Sequence, residues 1–178
     1  LGAFPVEGTI ELWVYASDLT TNKGIFDTDI NGNGLRLEVE TGLPGLQIVA
    51  DDDASQVEQL FGSAMSTSTW YHIAITWDTG SSNLVGYVNG VEAFNVSDVV
   101  TWPTNLNDFV IGTALDGVSG PTPGRFWNGE MDELRIWNVQ RDQAQISANM
   151  TNFGVDSETG LLASYDFNVG IAGGNNTV

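Results

Sequence analysis

Hydrophobic and polar residues alternate along much of this chain. Between Thr9 and Tyr15, the side chains of Ile10, Leu12 and Val14 point to one side and those between them to the other. A period of two is typical of a β-strand, because successive side chains of a strand point to opposite faces. The same pattern predicts further strands at 35–39, 46–48, 71–77 and 134–136.

Turn residues separate these apolar runs. Asn89-Gly90 lies between the runs 84–88 and 91–96, and this dipeptide readily adopts the positive φ angles of a type I′ hairpin. Only Gln140–Met150 reads as a helix, from its good helix formers and an apolar pair four residues apart. Many short strands with one late helix predict an all-β fold, an antiparallel β-sandwich, rather than an α/β fold.

Composition limits the partners. The chain has 178 residues, of which 23 are acidic and 5 basic, so its formal net charge is −18. This length predicts a single domain over residues 1–178. The negative surface repels phosphate backbones, so we expect no nucleic-acid partner. Since no apolar run approaches the roughly 20 residues of a membrane span, we expect no membrane insertion.

Two further features concern the origin of the chain. It contains no cysteine, which excludes disulfides and thiolate metal sites. It begins at Leu1 without a signal peptide and ends in the polar run 173–176. We therefore expect a domain excised from a larger multidomain protein.

Four motifs occur in a fixed order along the chain. They are Trp70–Trp77, Gly86–Gly90, Ile111-Gly112 and Phe126–Asn138. Together they resemble the laminin G-like jelly-roll domains of the concanavalin A-like lectin/glucanase superfamily, particularly the bacterial extracellular type. The resemblance implies two antiparallel sheets packed face to face, an extracellular or cell-surface location and frequent calcium binding. It implies no single ligand, because this fold serves lectins, adhesion modules, glycan-binding modules and glycosidases.

The chain departs from this family at its end. A segment like Gly160–Phe167 commonly lies near the start of such domains, whereas here it closes the chain. It either pairs back beside the N-terminal strand or belongs to a following module. We favour pairing back, because an unpaired apolar strand would expose an aggregation-prone edge.

The acidic run Glu130-Met131-Asp132-Glu133 is similar to the catalytic run of laminarinase-like glycosidases. Those enzymes need a second carboxylate four or five residues after the first. Positions 134 and 135 are leucine and arginine, so the second acid is missing. We therefore predict that the chain is not an enzyme.

Two places are candidate calcium sites. Asp132 shares strand parity with Leu134 and is expected to lean toward the core, where a carboxylate needs a partner. In the resembling family the matching aspartate often helps to hold a structural calcium ion; a hydrogen bond to backbone amides is the equal alternative. Asp27, Asp29 and Asn31 form the start of an EF-hand-like pattern without flanking helices. That loop could hold calcium at the rim or be a plain solvated hairpin loop.

Aromatic residues are the candidate sugar contacts. Trp102 precedes a proline in a polar loop and Trp127 lies beside Asn128-Gly129, so these two are the better candidates for exposed, ligand-binding rings. The other four tryptophans are expected to pack in strands, as is the only histidine. Those residues are Trp13, Trp70, Trp77, Trp137 and His72.

These observations predict a non-catalytic extracellular recognition module that binds a glycan or a protein and is stabilised by calcium. The alternatives are a carbohydrate-binding module attached to a polysaccharide-degrading enzyme and a protein-binding adhesion or spacer domain; a glycosidase ranks last. The expected partners are a glycan or an extracellular protein, together with neighbouring domains of the parent chain.

Overall fold

The computed structural model describes residues 2–28, 33–42, 45–52, 54–62, 65–99, 101–104, 106, 109–115, 125–153 and 158–168. In these ranges the chain forms eleven strands and one helix. The strands are β1 Glu7–Ala16, β2 Lys23–Asp27, β3 Asn33–Val39, β4 Leu46–Asp52, β5 Gln56–Phe61, β6 Trp70–Asp78, β7 Asn83–Val88, β8 Val91–Val96, β9 Val110–Ile111, β10 Gly129–Trp137 and β11 Leu161–Tyr165. The helix is α1 Gln143–Asn149.

The strands form two sheets packed face to face. A six-stranded sheet has the order β11-β10-β1-β6-β7-β8 and a five-stranded sheet the order β5-β4-β3-β2-β9. All strand pairs are antiparallel. This confirms the antiparallel sandwich of jelly-roll type.

The core lies between the sheets and contains the residues that the alternation placed there. Ile10, Leu12 and Val14 of β1 face apolar side chains of the five-stranded sheet, including Leu35 and Leu37. Each of these side chains is essentially inaccessible to water. Burial of a leucine or isoleucine side chain stabilises the fold by about 1.5–3 kcal/mol.

The predicted hairpin is confirmed. Asn89 and Gly90 have φ angles of 52° and 74°, and they join β7 to β8. The backbone N–H of Asn89 donates to the carbonyl of His72, and its side-chain oxygen accepts from the His72 N–H. The turn is therefore attached to β6 as well as to its own strands.

The predicted helix is also confirmed, although it is shorter than 140–150. Its N-cap is Asp142, whose carboxylate accepts from the backbone N–H of Gln145, while the Gln145 side chain accepts from the Asp142 N–H. This capping box fixes the start of the helix. Ile146 then packs on Ala74, Val85 and Tyr87, on the face of the six-stranded sheet that points away from the core.

The closing segment is an integral strand. β11 pairs with β10 along four register positions, and Ala163 packs against the core. The strand lies beside β10 rather than beside β1, so its predicted neighbour was wrong. The edge that it covers is the one formed by β10.

A β-bulge changes the direction of the side chains on β10. Glu11 lies opposite Arg135 and Trp13 opposite Asp132, so Leu12 faces two residues of β10. Glu133, one of those two, has a φ of 51°. An extra residue inverts the alternation beyond it. Asp132 consequently lies on the outer face beside Trp13, and the expectation that it leans toward the core was wrong.

Candidate functional site

An open groove lies on the outer face of the six-stranded sheet, where β1, β6 and β10 meet. Its volume is about 320 Å³. Aromatic rings and carboxylates line it, and one wall comes from the segment that follows α1. We call it the aromatic groove; its lining residues are Trp13, Trp70, Asp132, Glu133, Thr151 and Phe153.

Both tryptophans of the groove are held in place by neighbours. The indole N–H of Trp13 donates to the carbonyl of Met150 at 2.8 Å, and its ring lies 5.3 Å from that of His72. Trp70 begins β6 opposite Tyr15, with 5.6 Å between the ring centroids. Trp70 is 39% exposed and Phe153 61% exposed. The groove thus presents fixed aromatic surface to solvent.

Two adjacent acids form the polar side of the groove. The carboxylate of Asp132 accepts from the backbone N–H of Glu133 at 2.9 Å. The Glu133 carboxylate accepts from the Arg135 guanidinium at 3.2 Å, and Glu133 itself is buried. Burial raises the pKa of Glu133, an effect that the nearby Arg135 charge partly offsets.

Beneath the groove lies a buried ionic cluster. Glu11 accepts from Trp137 Nε1 at 3.3 Å and lies 3.5 Å from Arg135 Nη1. The Glu11 carboxylate is 3.6 Å from Nε2 of His72. Burial raises the pKa of Glu11, whereas burial and the Arg135 charge lower the pKa of His72 to about 3. His72 is therefore neutral at pH 7 and packs under Trp13, as expected of a structural residue.

The tryptophans are distributed differently from the prediction. Trp77 and Trp137 are fully buried, as expected, but Trp70 is open to solvent and Trp13 is half-buried. The alternation along β1 could have predicted this position, because Trp13 lies between the core residues Leu12 and Val14 and therefore points to the opposite face. In β6 the side chains that face the core are at odd-numbered positions, so the alternation places Trp70 on the outer face.

Trp102 and Trp127 are not the exposed rings that the sequence indicated. Both are half-buried and pack against the core. Trp102 lies 6.2 Å from the ring of Phe4, and its indole nitrogen is buried. The indole N–H of Trp127 donates to the carbonyl of Glu130 at 3.3 Å. Their role in ligand binding stays a prediction.

The predicted calcium ligands lie in two separate places. Asp27 closes β2 in the five-stranded sheet, is fully buried and accepts from the Leu115 N–H at 2.8 Å. Asp29 and Asn31 lie outside the described residues, while Asp132 is in the other sheet. Within the described ranges, no three histidine or acidic side chains form a group that could hold a metal ion.

Among the described residues, cavities also open at the edges of the sandwich. One of about 460 Å³ lies near the turn between β7 and β8, lined by Tyr71, Asn89 and Val91 among others. The second, of about 220 Å³, lies between β9 and β11 and is lined mainly by apolar residues. Neither combines several exposed rings with a pair of carboxylates.

The helical content of the described chain is confined to α1. No helix there has the length and apolar character needed to cross a membrane.

The architecture defines a jelly-roll β-sandwich of two antiparallel sheets with a helix on the outer face. A laminin G family model, described as the concanavalin A-like lectin/glucanases superfamily, matches residues 3–147. The chain belongs to this superfamily. A comparison with curated proteins gave no match.

Several solved structures share the fold. A proposed carbohydrate-binding protein from Bacteroides ovatus is 24% identical, with a TM-score of 0.71; the match covers 92% of this chain but only 46% of that protein. Domain 4 of AbnA, a GH43 extracellular arabinanase from Geobacillus stearothermophilus in complex with arabinotriose, is 23% identical, with a TM-score of 0.61 and coverages of 83% and 71%. A Ruminococcus gnavus sialidase CBM40 bound to α2,3-sialyllactose is 10% identical, with a TM-score of 0.67 and coverages of 81% and 82%.

Proposed function

We propose that this chain is a non-catalytic glycan-recognition module and that the aromatic groove is its sugar-binding surface. The observation that carries the proposal is the exposed indole of Trp70, which shares a groove with Phe153 and the carboxylate of Asp132. Large exposed apolar side chains gathered in one concavity are characteristic of binding sites, whereas scattered ones are ordinary surface.

The chemistry of the groove suits a sugar. The C–H groups on one face of a pyranose or furanose ring form an apolar surface that stacks on an aromatic ring, while its hydroxyls need hydrogen-bond acceptors. Trp70 and Phe153 supply aromatic surface, and Asp132 supplies carboxylate oxygens in the same groove. Because Trp13 is anchored to Met150, little side-chain freedom is lost on binding.

The acids of the groove favour binding over hydrolysis. A retaining glycosidase needs two carboxyl groups about 5–5.5 Å apart on either side of the scissile bond. Glu133 is buried and paired with Arg135, and the next two positions of β10 are Leu134 and Arg135. Of the two acids that line the groove, Asp132 is therefore the one whose carboxylate can accept a hydrogen bond from a bound hydroxyl.

The similar structures support this assignment at the level of ligand class. Two of them contain a bound oligosaccharide, and one is a domain of an extracellular arabinanase. We propose that this chain has a comparable role, as an extracellular or cell-surface module attached to other domains. Stabilisation by calcium is part of the same proposal and is tested separately.

A protein-binding role is the second candidate. The cleft between β9 and β11 contains Ile111, Tyr165 and Phe167, which are 38–53% exposed. An apolar cleft at a sheet edge resembles a protein contact more than a sugar site, because no carboxylate or amide side chain is among its described lining residues. Binding that depends on Tyr165 rather than Trp70 would favour this alternative.

A glycan array probed with the folded domain, with and without calcium, tests the proposal. The oligosaccharide with the strongest signal is then titrated into the unmutated protein and two variants by calorimetry. Trp70→Ala is expected to weaken binding by about 1–3 kcal/mol, the range found when aromatic side chains on which nucleobases stack are replaced by alanine. Tyr165→Ala removes a ring from another surface that is 53% exposed, against 39% for Trp70; it is the matched control and should leave affinity unchanged.

Thermal melting of both variants separates loss of contact from loss of fold. Equal affinity of Trp70→Ala and the unmutated protein would show that the aromatic groove is not the binding surface. A complete lack of array signal would contradict glycan recognition itself.

A further inference from the structure

The aromatic groove carries negative charge on its accessible wall. Asp132 lines it, and Glu130 lies opposite Tyr15 on the same outer face, where it is exposed to solvent. The third acid of this segment, Glu133, is buried and paired with Arg135. A sugar bound against Trp70 would therefore have carboxylates as its nearest charged neighbours. Their oxygens accept hydrogen bonds from hydroxyl and ammonium groups, and they repel other carboxylates and sulfates.

The nearest cation cannot compensate for this charge. Arg135 is 1% exposed and its guanidinium is already surrounded. It donates to the carbonyl of Asn149 at 3.1 Å and lies 3.5 Å from Glu11 and 3.2 Å from Glu133. Turning it toward a ligand would remove the cationic partner of two buried carboxylates, Glu11 and Glu133, which is strongly unfavourable.

The other basic side chains are also paired with acids. The sequence contains five lysine and arginine residues, and each lies within 4 Å of an acidic partner. The most exposed of them, Arg125, is paired with Glu38 at 2.9 Å on the five-stranded sheet. Those pairs are Lys23 with Asp18, Arg36 with Glu38, Arg125 with Glu38, Arg135 with Glu11 and Glu133, and Arg141 with Glu158.

From these observations we infer that the aromatic groove, with no cation bound to Asp132, selects its ligand by charge: it takes a neutral sugar and excludes the same sugar bearing a carboxylate or sulfate. The tests below are therefore run in the presence of a chelator, because a divalent cation on Asp132 would reverse the local charge. This inference rests on the proposed function and adds the class of glycan. An amine in place of a hydroxyl is accepted, because an ammonium group near Asp132 and the face of Trp70 gains both an ion pair and a cation–π contact. This chain thus shares its fold with a sialyllactose-binding domain but is not expected to bind a negatively charged sugar.

The glycan array provides the first test when it includes neutral, sialylated, uronate-containing and sulfated glycans. Every glycan whose signal falls in Trp70→Ala is expected to be uncharged or amine-bearing. A sialylated, uronate or sulfated glycan bound through Trp70 would overturn the inference while leaving the proposed function intact. Absence of any Trp70-dependent signal would instead contradict the proposed function.

Matched ligands give the size of the effect. The best neutral oligosaccharide on the array is compared with its counterparts oxidised to a uronate, or aminated, at the primary hydroxyl. The uronate is expected to bind at least about tenfold more weakly, which corresponds to about 1.4 kcal/mol. The amine is expected to bind at least as tightly as the parent sugar. Equal affinity of the parent and the uronate would overturn the inference.

Two variants and a salt series identify the source of the discrimination. The ratio of the affinity for the parent sugar to that for the uronate is called the affinity gap. Asp132→Asn keeps the shape of the side chain and should reduce this gap severalfold. Glu58→Gln removes the same formal charge from an exposed position on β5 and should leave the gap unchanged. The gap should also shrink between 0.02 M and 1 M salt, because the Debye length falls to about 3 Å at 1 M. A gap that is identical in Asp132→Asn would show that the groove acids do not cause it.

Discussion

His72 is a buried titratable residue between Trp13 and the carboxylate of Glu11. Its pKa is lowered to about 3 by burial and by the charge of Arg135, whereas the ordinary value is 6.5. The unfolded chain therefore takes up a proton as the pH falls through 6.5, and the folded protein does not until about pH 3. Folding stability consequently rises with pH over this interval and is lost as the solution is acidified.

Replacement of His72 tests this reasoning. Between pH 7.5 and pH 5.0 the histidine alone should cost the unmutated protein about 2 kcal/mol of unfolding free energy, and His72→Gln should lack that loss. Glu11, whose raised pKa acts in the opposite direction, is present in both proteins and largely cancels in the comparison. Denaturant unfolding at both pH values measures the difference. Parallel pH dependence of the two proteins would contradict the assignment of His72 as neutral.

At the level of elements, β11 completes the six-stranded sheet. Its residues pair with β10 from Leu134↔Tyr165 to Trp137↔Leu161, and the carbonyl of Gly160 accepts from the N–H of Asn138. These contacts cover the strand that carries Arg135. The closing strand therefore supports the floor of the aromatic groove as well as the edge of the sheet.

Deletion of residues 160–178 should lower the melting temperature by roughly 10 °C or more, since for a domain of this size 1 kcal/mol corresponds to about 2–4 °C. Deletion of 169–178 alone removes none of the described strand pairing and is the control. Differential scanning calorimetry measures both truncations. An unchanged melting curve for the longer deletion would show that β11 contributes nothing to this sandwich.

Alternation predicted β1, β3, β4, β6 and β10, because each has one face in the core. It missed β2, whose five residues are all buried, so no polar face marks the strand. The bulge at Glu133 was also missed, since nothing in the local sequence indicates a positive φ at that glutamate. The groove was missed because nothing in the local sequence of β1 indicates that the segment after α1 packs beside Trp13, whose indole N–H donates to the carbonyl of Met150.

For the whole molecule, charge is the dominant property. A net charge of −18 with all basic side chains paired leaves many acids to repel one another. Oxygen-rich sites for a hard divalent cation would relieve this repulsion wherever acids converge. Calcium therefore stays a prediction, with Asp132 in one sheet and the loop from Asp27 in the other as its two places.

Melting in a chelator and in millimolar calcium tests both places. A cation bound only by the folded state at a hundredfold excess over Kd stabilises by about 2.7 kcal/mol, which should raise the melting temperature by roughly 5–10 °C. Asp132→Asn should abolish the increase if that residue is a ligand. The double variant Asp27→Asn with Asp29→Asn should abolish it if the loop binds. Identical curves in chelator and calcium would contradict both.

The most direct test of the central claim follows the six tryptophans individually. Each indole N–H gives its own proton–nitrogen NMR resonance, and a sugar stacked in the aromatic groove should shift those of Trp70 and Trp13 on titration. The resonances of the buried Trp77 and Trp137 should stay in place. Binding that shifts Trp102 or Trp127 and leaves Trp70 unmoved would show that the sugar lies elsewhere and that the groove is not the recognition surface.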